Sequence, residues 1–190
     1  MRRSVAAAAV VVLAGAGLLG TAGSAGAATG TAAASGATEC SVAWGSKAKS
    51  ATNATSAPLK NITTSGTTCY DRMVFDISGA RGKLGYHVGY VDAFHQDGSG
   101  ERIPVKGGAI LEIFVSAPTH DPATGRQTYA AEAGKSLPGV HLDGYRTFKD
   151  TKFGASFEGQ TQVGLGVRAK LPFRVLQSGD TLIVDVAHTW

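Results

Sequence analysis

Aromatic rings beside guanidinium groups are the chemistry this chain offers most openly: Tyr70-Asp71-Arg72, Tyr145-Arg146, and Trp44 and Trp190 near the ends of the part expected to fold. A flat ring can stack on a sugar, and a guanidinium fork can hydrogen-bond its hydroxyls. Trp44, Tyr70, Arg72, Tyr145, Arg146 and Arg168 are therefore the candidate ligand-binding residues. The same residue types also serve as core lids with a wet polar tip and as structural ion pairs. Both readings stay open at this level.

Other chemistries find less support. The run "FEGQTQVGLGVRAKLPFRV", residues 157 to 175, spaces its glycines like a phosphate loop. Such a loop needs Lys and Ser/Thr after its last glycine and a helix starting there. Here Val167 and Arg168 follow Gly166, and Val163, Leu165 and Val167 keep a strand period. The glycines are expected to sit on a strand and to allow close approach of another backbone, a bulge or a bend, with Glu158-Gly159 near the preceding turn. The five histidines, His87, His95, His120, His141 and His188, are scattered singly without metal-ligand spacing. "DGSGE", 97 to 101, reads as a hairpin turn, not a nucleophile elbow. Carboxylates such as Asp71 and Asp76, or Asp92 and Glu112, do not single out an acid–base pair. No catalytic residue, metal site or cofactor is expected. Basic and acidic residues interleave with no basic run longer than a pair, so nucleic acid is not implied.

These side chains need a scaffold, and the sequence reads as strands. Val-, Ile-, Phe- and Tyr-rich runs at period two cover 70 to 77, 86 to 94, 109 to 116, 161 to 168, 172 to 176 and 181 to 188. "SGARGKLG", "QDGSGE", "KGG" and "QSGD" supply turns between them and leave little room for helices. An all-β, antiparallel β-sandwich follows. Residues 118 to 139 break the rhythm, with proline near both ends, and are expected to form a long loop with at most one helical turn, a further candidate binding element.

Arg2-Arg3, an apolar run from Val5 to about Leu19 and small residues around Ala25-Gly26-Ala27 have the layout of a secretory signal peptide, expected to span 1–27. Its apolar run is too short for a permanent span, and no transmembrane segment is expected in the mature chain. Without Arg2 and Arg3 the charge falls from +4 to about +2. Residues 28–39 are small and polar, a flexible lead-in, and 40–190 form one domain, expected to be a monomer. Cys40 and Cys69 are the only cysteines and, in an oxidising compartment, should pair.

"WGS" at 44 to 46, "CYDRMVFDISG" at 69 to 79, "GYVDAFHQDGSG" at 89 to 100, "GYRTF" at 144 to 148, the glycine run and "LIVDVAHTW" at the end occur in an order that resembles the AMIN-like domain of exported actinobacterial proteins. The resemblance covers nearly all of the mature chain. Members of that family are often lipoproteins, whereas no lipid-acceptor cysteine follows the apolar run here. What the resemblance implies is a β-sandwich without catalytic residues that localises to the cell envelope by binding peptidoglycan. The expected protein is thus secreted and cell-wall associated, its partner a wall polymer or an envelope protein. Two other readings remain: a small wall hydrolase with a site assembled from dispersed His, Asp and Glu, and a protein–protein adaptor that pairs through a strand edge.

Overall fold

Period-two alternation assigns alternate side chains to opposite faces of a strand. In the computed structural model, which describes Cys40 and residues 42–190, that pattern resolves into nine antiparallel strands, with no helix among the described residues. They are β1 (Lys49–Ala51), β2 (Asn61–Gly66), β3 (Tyr70–Asp76), β4 (Tyr86–Val91), β5 (Ala109–Val115), β6 (Phe148–Phe157), β7 (Gln160–Val167), β8 (Phe173–Ser178) and β9 (Thr181–Ala187). A five-stranded sheet runs β1-β4-β5-β7-β6, and a four-stranded sheet runs β2-β3-β9-β8. The expected leader and lead-in, 1–27 and 28–39, lie outside the described residues.

The protein is an all-β sandwich, and its core is built from the inward-facing residues of β2 to β9. Met73 and Phe75 of β3, Leu111 and Ile113 of β5, Val163 and Leu165 of β7, Phe173 of β8 and Leu182 and Val184 of β9 belong to one buried cluster. Truncating any one of the large ones would cost about 2–5 kcal/mol in lost contacts and residual cavity.

The six runs legible in the sequence correspond to β3, β4, β5, β7, β8 and β9. β4 stops at Val91 instead of reaching Phe94, and the chain then folds back over the outer face of the five-stranded sheet. Phe94 is fully buried there, against the sites where Cβ atoms of Gly154 and Gly164 would lie. A Cβ on Gly166 would meet the Lys106 carbonyl oxygen at 1.8 Å. Gly164 and Gly166 are thus strand residues that admit a covering layer, and β7 is buried on both faces. Glu158 (φ 48°) and Gly159 (φ 77°) form the two-residue turn into β7.

Residues 118–139 contain no helix; Gly134 N donates to Phe153 O, and Phe153 N to Lys135 O, so this loop covers the free edge of β6. Tyr129 and Leu137 enter the core from it.

Candidate functional site

The segment from Cys40 to Lys49 crosses from one sheet to the other. Cys40 is bonded to Cys69, just before β3. Farther along, Gly45 O accepts from Phe173 N at 3.0 Å. The Lys49 ammonium stands 4.0 Å from the centre of the Phe173 ring, and burial lowers its pKa below the usual value. β1 then joins the five-stranded sheet. This strap holds Trp44 against the solvent face of the four-stranded sheet, where β3 presents Tyr70 and Arg72 and β8 presents Arg174.

There the rings and cations alternate. The Arg174 guanidinium carbon lies 4.2 Å from the Trp44 ring centre and 5.2 Å from that of Tyr70. The Arg72 guanidinium is 5.2 Å from the Tyr70 ring, and Trp44 meets Tyr70 edge-on at 5.6 Å. Such contacts are favourable because the ring faces carry negative potential. Asp185 of β9 anchors both arginines: Arg72 donates from Nε at 2.7 Å and Nη2 at 2.9 Å, and Arg174 from Nε at 2.8 Å. The carboxylate is fully buried beneath them. Its hydrogen bond raises the Arg72 pKa above the usual value. Two cations on one anion leave this cluster with a net positive charge. Among the described residues neither Arg174 Nη group has a hydrogen-bond partner.

A second feature adjoins the β2–β3 turn. A recess of about 390 Å³ is lined by Gly66, Thr67, Asp71, Asp143, Gly144, Tyr145, Arg146 and His188. At its base the buried Asp71 accepts from Thr147 N at 2.6 Å and Phe148 N at 3.0 Å. His188 Nε2 lies 2.9 Å from Asp71 Oδ1, and its Nδ1 lies 3.0 Å from Thr68 O. An imidazole whose two nitrogens both face internal acceptors has none left for a substrate, so this pair is built as a brace. A larger recess of about 660 Å³ lies by the β6–β7 turn and is lined mostly by small uncharged residues, with Tyr86, His87, Glu158 and Gln160 the exceptions.

The AMIN-like domain model matches residues 57–188, more than two thirds of the chain. The chain belongs to the AMIN-like family. AMIN-like domains are cell-wall-related binding modules without catalytic function. Comparison with curated proteins and with solved structures gave no match.

Within this AMIN-like domain the expected ligand residues separate into groups. Trp44, Tyr70 and Arg72 converge on the sheet face, with Trp44 contributed by the strap that precedes the matched region. Tyr145 and Arg146 line the recess. Arg168 joins neither group; its Nη2 donates to His188 O at 2.6 Å, tying β7 to the end of β9. Trp190 is 71% exposed. The Cys40–Cys69 pairing is as expected. Sequence reasoning missed Arg174 and Asp185. Asp185 had a signal in "LIVDVAH", because an acid inside an otherwise apolar strand calls for a buried partner. Among the described residues no group of three or more His, Cys, Asp or Glu could hold a metal ion.

Proposed function

We infer that the protein is a secreted, wall-associated module that binds peptidoglycan, without cleaving it, through the ring–arginine face of the four-stranded sheet. The observation that carries this reading is the Trp44–Arg174–Tyr70–Arg72 alternation on a solvent-facing surface. Wall glycans and their peptides offer sugar faces for rings, and hydroxyls and carboxylates for guanidinium donors. Rings already ordered by their cations, and arginines already oriented by Asp185, lose little conformational freedom on binding. Family membership supports wall association, and the disulfide suits an oxidising compartment.

The test is a pull-down on purified insoluble peptidoglycan with muropeptide release followed in the same tube. Retention without release, weakened at least about tenfold by Trp44→Ala or Arg174→Gln, is the expected result, given the weight aromatic and arginine anchors carry in interfaces. Release would replace the binding module with a hydrolase. Neither retention nor release would favour an adaptor, for which β8, a terminal strand of its sheet with Leu176 39% exposed, offers an edge.

A further inference from the structure

We propose that the recess beside the β2–β3 turn is a second binding site, selective for a zwitterionic α-amino acid group, with Asp143 taking the ammonium and Arg146 the carboxylate. The two opposite charges lie on either side of Gly144 and line one cavity, yet they are not paired with each other. Among the described residues Asp143 has no hydrogen bond or ion pair at all. Arg146 donates a single bond, from Nη1 to Thr68 O at 3.3 Å, which fixes the side chain and leaves the rest of its fork unused. The positive φ of Gly144, 83°, belongs to the tight turn that Tyr145 N closes onto Leu142 O.

The walls are held independently of any ligand. Tyr145 stacks on Phe148 at 5.8 Å, and Lys149 is engaged with the Tyr145 carbonyl oxygen. The base does not compete for a guest, because Asp71 and His188 satisfy each other and nearby backbone groups. Gly66 keeps the cavity open: a Cβ there would lie 3.4 Å from Asp71 Oδ1 and 3.7 Å from the Tyr145 ring. A plain carboxylate would meet the Asp143 charge and a plain amine the Arg146 charge. A group with both on one carbon satisfies both, and about 390 Å³ falls in the range of small-molecule sites.

The experiment is an NMR titration of the protein with D- and L-alanine, N-acetylalanine, which lacks the ammonium, and alaninamide, which lacks the carboxylate. The Gly66 and Gly144 amide signals should move saturably with at least one alanine enantiomer. Each blocked analogue should bind at least about tenfold more weakly, the scale set by loss of a charge-assisted hydrogen bond. Asp143→Asn should weaken alanine while improving N-acetylalanine relative to it, and Arg146→Gln should do the same for alaninamide. Both positions are exposed, so both variants should fold. Absence of saturable shifts, equal binding of the blocked forms, or unchanged discrimination in the variants would overturn the proposal. Wall retention through Trp44 and Arg174 is read separately, so either reading can fail alone.

Discussion

Asp185 shows how a charged residue can occupy a buried strand position and make a surface at the same time. It is fully buried, while Arg72 and Arg174 are 28% and 32% exposed. Removing the anion lets two partly hydrated cations turn to water, whereas removing both cations strands a desolvated carboxylate. The costs should therefore be unequal. Asp185→Asn is expected to lower unfolding free energy by about 1–2 kcal/mol, and the Arg72→Ala/Arg174→Ala double variant by roughly 3–5 kcal/mol. Urea unfolding of the two variants measures this directly; equal losses would mean that the arginines serve only as outward-facing groups. Arg174 was hard to see in "PFRVL" because its partner lies on the next strand, and only the β8–β9 register places Arg174 opposite Asp185.

At the scale of elements, legibility followed burial. β3, β5 and β9 each bury one apolar face, and their alternation announced them. β2, "NITTSG", is an edge strand with Ile62 as its one buried residue, and β1 is three residues long. β6 carries Lys149, Asp150 and Lys152 and two irregularities in its register with β7, so its period was broken before it could be read. The site was legible to a similar degree: ring and guanidinium types pointed to Trp44, Tyr70 and Arg72, but nothing local indicated that a strap would bring Trp44 to β3. The glycines of β7 have a definite cost attached. Gly166→Ala would force the Lys106 backbone away and should destabilise by about 1–3 kcal/mol or more, whereas Gly66→Ala, with its nearest contact at 3.4 Å, should unfold close to wild type. Chemical denaturation of the pair checks whether close backbone approach is why β7 is glycine-rich; similar midpoints would remove that explanation.

Across the whole described structure, the strap couples stability to the proposed binding face. One disulfide with a sequence separation of 29 fixes Cys40 beside Tyr70, and four residues later Trp44 stacks on Arg174. On the chain-entropy account, losing that bridge should cost roughly 3–4 kcal/mol. The sandwich does not otherwise depend on it, because the buried cluster is built from residues after the strap. The Cys40→Ser/Cys69→Ser protein should consequently still unfold cooperatively, at lower denaturant, and yet hold peptidoglycan poorly because the Trp44 ring is no longer positioned. Trp44→Ala with the bridge intact should separate the two effects, giving a comparable loss of retention with a much smaller loss of stability. Pull-down and unfolding run on both variants decide the matter: wall retention that survives loss of the bridge would show that β3 and β8 carry the face unaided and that the strap serves stability alone.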